Sequence, residues 1–173
     1  KTTFIKKYAT YLINQGYKVG IIENDFGAVN VDMMLLQDLQ SDNCELEMVA
    51  GACDKDCHQR RFKTKLISMG MRQFDRILVE PSGIFDVDEF FDILYEEPLT
   101  NWYEIGNVFA IVDSSLEKNL SKEASYLLAS QIVSAGKIIL SKVDLPVPFT
   151  PIKPIFSLSF IPKEISSSNF FSE

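Results

Sequence analysis

The chain is poor in the residues that most often announce chemistry, with one His, one Trp and three Cys among 173 residues. Three cysteines cannot all pair, and a chain long enough to bury a sizeable core needs no disulfide staples. The thiols therefore read as free or metal-bound, and the expected location is a reducing cytoplasm. Positive charge is also short. Lys and Arg number 17 against 24 Asp and Glu, a net charge of −7. That balance argues against nucleic acid as a partner, because such binding runs on clustered cations meeting phosphates. No apolar run approaches the roughly 18 residues that a membrane helix needs, and no signal-peptide pattern is present, so no membrane partner is expected. An initiating Met is missing too. Lys1-Thr2-Thr3 runs straight into an amphipathic pattern, and so abrupt a start reads as a truncation.

What is present is an alternation of helical and strand patterns. Phe4, Ile5, Tyr8, Leu12 and Ile13 recur at helical spacing, with Gly16 as the stop. Val19–Ile22 is a short apolar run with β-branched residues, which predicts a buried strand followed by a polar loop from Glu23. A short helix fits Asp32–Leu39, and Ser41–Gly51 reads as loop or weak strand. Further helices are predicted over Arg60–Met71, ending near Gly70, over Val87–Tyr95, and over Ser121–Ser134 with Ser121 as N-cap. Arg76–Val79, Val108–Val112 and Lys137–Leu140 read as further strands. Continuous apolar strands alternating with helices predict an α/β fold, a mostly parallel sheet covered on both faces, with ligands at the carboxyl ends of the strands. Residues 1–145 form the expected domain. Residues 146–173 read as an irregular Pro/Ser-rich tail, with five prolines after Leu145 and the run Ile165-Ser166-Ser167-Ser168-Asn169.

Polar motifs fall just past the strand ends. Lys1-Thr2, at a helix start, has the last two residues of a phosphate-binding loop, in which Lys reaches the outer phosphates and the Thr hydroxyl binds Mg²⁺. Alone, the dipeptide reads as a frayed terminus. Glu80-Pro81-Ser82-Gly83 follows a buried strand, where an acid can hold Mg²⁺ and the Gly N–H can meet a γ-phosphate. The same four residues also make an ordinary turn. Ser141-Lys142-Val143-Asp144 resembles the guanine-reading motif NKxD, with Ser in place of Asn. A carboxylate at Asp144 can accept both N1–H and the 2-amino group of guanine while the Lys142 stem lies along the base. Lys6-Lys7 and Arg60-Arg61 read as solvated helix faces, and Phe85, Phe90 and Phe91 as packing.

The stretch Ile22-Glu23-Asn24-Asp25-Phe26-Gly27-Ala28-Val29-Asn30-Val31-Asp32 resembles the ENEFG segment of the CobW/HypB/UreG-like P-loop GTPases, specifically the CobW-like metallochaperones. That family orders its motifs as P-loop, ENEFG segment, Cys motif, E-x-x-G and [NT]KxD, and the same order runs here from Lys1 to Asp144. The resemblance implies a three-layer P-loop core lacking its first strand and a C-terminal domain. It implies GTP and Mg²⁺ as ligands, with Lys1, Thr2, Thr3, Gly83, Ser141, Lys142 and Asp144 binding nucleotide. Glu80 and Asp32 take the catalytic roles. Gly51-Ala52-Cys53-Asp54-Lys55-Asp56-Cys57-His58 stands where the family has Gly-Cys-x-Cys-Cys, without the adjacent pair of cysteines. Cys53, Cys57, His58 and Glu23 are its candidate ligands for Zn²⁺ or Co²⁺, with Thr2 on Mg²⁺. Inert thiols are the bland reading of the same loop, and Cys44 reads as a bystander. The implied partners are GTP, a divalent metal, a client metalloprotein and a second copy of the chain.

The leading functional expectation is a GTPase whose nucleotide state controls binding and delivery of a metal. An ATP-dependent P-loop relative and a metal-binding interaction module with a degenerate nucleotide site are the alternatives. A chain starting at Lys1 is expected to bind GTP weakly or not at all, because the Gly-rich cradle is missing from it.

Overall fold

A computed structural model describes residues 2–24, 31–49, 55–81, 87–114 and 121–142. In chain order the elements are α1 (Thr2–Asn14), β1 (Val19–Asn24), α2 (Val31–Leu36), β2 (Cys44–Val49), α3 (Lys55–Met71), β3 (Arg76–Pro81), α4 (Val87–Tyr95), α5 (Leu99–Trp102), β4 (Phe109–Asp113), α6 (Lys122–Val133) and β5 (Lys137–Ser141). A single 3-10 turn, Gln37–Leu39, prolongs α2. The α/β class follows directly. The strands pair in parallel, in one sheet ordered β2-β1-β3 and a second pair β4-β5.

Three layers result because alternate residues of each strand face opposite sides. Val19, Ile21 and Leu78 join Ile5, Ala9, Leu12 and Leu36 in a cluster under α1 and α2. Ile22, Ile77 and Val79 face the other way, into a larger cluster with Phe62, Leu66, Met69, Phe90 and Leu99 from α3, α4 and α5. Phe62 and Phe90 meet there with ring centroids 5.0 Å apart. Each such ring, fully buried, contributes about 1.5–3 kcal/mol.

Helix α1 also reaches the second sheet. Phe4 and Tyr8 set their rings edge-on against Phe109 of β4, at 5.3 and 5.5 Å between centroids. Its end is built as the spacing predicted. Gly16 adopts φ +90, a conformation in which a Cβ is disfavoured, and the N–H groups of Gly16 and Tyr17 close onto the carbonyls of Ile13 and Leu12.

Several local expectations are corrected. β1 runs on through Glu23 and Asn24, and β3 through Glu80 and Pro81, so both acids sit in strands rather than in the loops after them. Parallel pairing to a neighbour extends a strand beyond its apolar residues. Cys44–Val49 is a full strand, paired along its length with β1. α3 begins at Lys55, one turn before the predicted Arg60. Its end is where the sequence placed it, at Met71, and at Gly70 in the last turn an added Cβ would come within 2.9 Å of the Trp102 ring. α5, which has no apolar period of its own, was not expected at all. β5 departs from a doubly covered sheet, with Ile138 and Leu140 more than half exposed.

Candidate functional site

Strands β1 and β3 each deliver a carboxylate at the carboxyl edge of the sheet. Glu23 and Glu80 are register partners. They share a face with Ile21 and Leu78, the face that α1 covers. Neighbouring strands lie about 4.8 Å apart, so the two acids stand side by side. Both are buried, at 3% and 6% exposure. Thr2, in the first turn of α1 and itself buried, donates its hydroxyl to Glu80 Oε2 at 3.4 Å. No acid sits in that first turn, so the positive end of the 13-residue helix is left uncompensated by its own sequence.

This arrangement has a definite chemistry. Two like charges held together away from water repel, and a bound cation removes that cost. Two carboxylates and a hydroxyl are hard oxygen donors, the set that suits Mg²⁺, and the N-terminus of a helix above them suits a phosphate. The residues therefore fit a magnesium-bound phosphate ester.

A second cluster forms where β4 and β5 end. Asp113 closes β4 at 2% exposure, and the ammonium of Lys142 lies 2.7 Å from its Oδ2. Ser114 donates its hydroxyl to the Lys142 carbonyl at 2.8 Å and its N–H to the Ser141 carbonyl at 3.0 Å. Lys142 itself sits at φ +55.

Of the residues singled out in the sequence, Thr2, Glu23 and Glu80 come together, and Ser141 and Lys142 lie on the β4–β5 edge. Thr3 is exposed on α1. Asp32 falls within α2, and its side chain lies outside the described residues. Lys1, Cys53, Gly83, Phe85, Asp144 and the 146–173 segment also lie outside them. Cys57 and His58, adjacent on α3, point about 100° apart as helical neighbours must. Cys57 lines a cavity of about 440 Å³ with Met48, Arg60, Arg61, Thr64 and Lys65. His58 is buried, and that burial, with the charge of Arg61 second, lowers its pKa and favours the neutral imidazole. Among the described residues no group of three or more His, Cys, Asp and Glu side chains is placed to hold a metal. Cys44, by contrast, is buried in the cluster under α1, and burial pushes its thiol up to about 11.

Sequence reading missed Asp113 and the pairing of Glu23 with Glu80. Asp113 carried a usable signal, since it closes an apolar strand as Glu80 does. The pairing carried none, because it depends on strand order.

Comparison with known proteins agrees with this architecture. Residues 1–148 match the family model described as CobW/HypB/UreG, nucleotide-binding domain. The chain is similar to the zinc chaperone YjiA of Escherichia coli (strain K12), at 27% identity over 154 residues, covering 84% of this chain and 46% of that protein. It is also similar to the zinc chaperone YeiR of the same organism, at 27% identity over 136 residues, covering 76% of this chain and 39% of that one. The chain thus spans less than half the length of these relatives. No solved structure matches it significantly. No helix among the described residues is long and apolar enough to cross a membrane. With a family model covering most of its length and a helix N-terminus set over strand-end carboxylates, this chain belongs to the CobW/HypB/UreG nucleotide-binding domain family.

Proposed function

We propose that the chain is the nucleotide-binding core of a GTP-hydrolysing metallochaperone, in which the nucleotide state controls the holding and delivery of a divalent metal such as zinc. The observation that carries this reading is the meeting of Thr2 and Glu80 beneath the start of α1, with Glu23 in register beside them. Thr2 and Glu80 hold Mg²⁺, directly or through water, and Lys1 neutralises the outer phosphates. When bound, the metal ion offsets the charge on the β- and γ-phosphate oxygens. Gly83 senses the γ-phosphate, Asp144 selects guanine, and Asp32 helps to position Mg²⁺ or water. Zinc is the cargo, with the thiols of Cys53 and Cys57 as its ligands. The names of the two bacterial relatives support zinc over cobalt. Residues 1–145 make up the nucleotide unit.

The GTP-bound and GDP-bound states differ by one phosphate at the site where β1 and β3 end. Glu23 pairs in register with Met48 of β2, the strand that precedes the Cys motif in the sequence, and the nucleotide state is transmitted along that pairing.

Competition binding on the full-length protein tests the reading. GTP is expected to displace a fluorescent GDP in a Mg²⁺-dependent manner while ATP does not. Equal displacement by ATP, or no nucleotide binding alongside intact zinc binding, overturns it.

A further inference from the structure

We propose that Asp113 is a positioning residue that ties down the ammonium of Lys142, so that the lysine stem stands as a fixed platform for the guanine base. The inference rests on the guanine-nucleotide reading above and adds to it a residue outside the four-residue base motif.

The geometry carries it in three steps. First, Asp113 is a carboxylate with 2% exposure, and a buried charge is retained only against a countercharge. Lys142 supplies that charge, with 2.7 Å between Nζ and Oδ2. Second, the Lys142 side chain is 53% exposed although its ammonium lies against a group that is almost wholly buried. The side chain as a whole thus keeps about half of its surface open while its tip is paired. It is fixed at one end by the backbone and at the other by Asp113. Third, the backbone of Lys142 is held as firmly as its tip. The carbonyls of Ser141 and Lys142 accept from the N–H and hydroxyl of Ser114, at 3.0 and 2.8 Å. Lys142 takes φ +55, a left-handed conformation uncommon for a residue with a Cβ. Such conformations persist where the surroundings over-determine them, and they gather at ligand clamps.

A free surface lysine samples many rotamers and surrenders that freedom when a ligand settles on it. Here the freedom is given up on folding, before any ligand arrives, so the stem presents a flat apolar edge at no further cost. An aromatic purine face is the ligand surface that such an edge fits. Asp113 ends β4, the strand paired with β5, and Ser114 follows it, so the clamp is set by sheet register and not by the sequence around Lys142.

The test compares Asp113→Asn, Ser114→Ala, Lys142→Met and Asp144→Ala in the full-length protein, using GDP and tripolyphosphate as probes. Asp113→Asn is expected to weaken GDP binding about tenfold while Mg²⁺-tripolyphosphate, which has no base, binds as in the wild type. Asp113→Asn combined with Lys142→Met is expected to be no weaker than Lys142→Met alone, because both remove one interaction. A parallel loss for both probes, unchanged GDP affinity, or additive effects of the two substitutions overturns the clamp. If Asp113→Asn fails to fold, exposed Ser114→Ala decides. About threefold weaker GDP with unchanged tripolyphosphate supports the clamp, and no change overturns it. Asp144→Ala separates the two levels. If it abolishes GDP preference while Asp113→Asn does nothing, the clamp alone falls; if it leaves GDP binding intact, the guanine reading and the clamp fall together.

Discussion

The hydroxyl of Thr2, at the start of α1, lies 3.4 Å from a carboxylate oxygen of Glu80 at the end of β3, across 78 positions of sequence. Both side chains are buried, and Glu23 stands in register beside Glu80. One helix end and two strand ends thus meet at a single oxygen-rich point.

If that point holds Mg²⁺, removing one charge there should uncouple metal from nucleotide. Glu80→Gln in the full-length protein is expected to weaken Mg²⁺-dependent nucleotide binding roughly 10- to 100-fold. Binding of GDP measured in EDTA should change little. Calorimetric titration with and without Mg²⁺ checks this, and equal losses in both conditions would count against a metal role for Glu80.

The buried Cys44 thiol makes a pH prediction. Its pKa is raised from 9.0 to about 11, so the folded chain keeps the proton that the unfolded chain loses first. The sign follows from linkage: stability is unaffected below pH 9 and falls as pH rises from there toward about 11. Cys44→Ala should lack that component. Urea midpoints of the two proteins at pH 8 and pH 10.5 should therefore converge at the higher pH. A constant difference would refute the burial argument.

Gly70→Ala sets two effects against each other. Helix propensity favours Ala by about 1 kcal/mol. The added Cβ, however, would sit 2.9 Å from Trp102 Cε3 and 3.2 Å from the Tyr103 hydroxyl. Overpacking of that kind costs about 1–3 kcal/mol, so a net loss of about 1 kcal/mol is expected in chemical denaturation. A gain in stability would mean that α5 yields freely.

Helix α6 has a removable cap. The Ser121 side chain accepts from the Ala124 N–H at 3.1 Å. Ser121→Ala should lower stability by about 1 kcal/mol, whereas Ser121→Asp keeps the acceptor and should be close to neutral. Thermal denaturation of the three proteins distinguishes a working cap from an idle one.

Much of the fold was legible along the chain. Ile5, Leu12 and Gly16 announced α1 and its end, and Ser121 announced α6, because both signals lie within a few turns of helix. Element edges were less legible. Glu23 and Glu80 looked like loop residues because a polar side chain after an apolar run ordinarily marks a strand end, yet backbone pairing carries both strands through them. α5 and the close approach of Gly70 to Trp102 were illegible, since each is set by contact between helices. The site was half visible. Thr2, Glu80 and Lys142 stood out by type and position, whereas Asp113 was passed over as a strand terminus.

By itself, the order of residues determined the class of the fold, the alternation of its elements and the family to which it belongs. Those properties are written in local periodicity and short motifs, which act over a few residues and survive without knowledge of what packs where. Tertiary structure alone decided which acids become neighbours. The strand order β2-β1-β3 sets Glu23 beside Glu80, and the pairing of β4 with β5 sets Asp113 against Lys142. Register between distant segments is chosen by burying whole faces at once, so no local stretch of the chain encodes it.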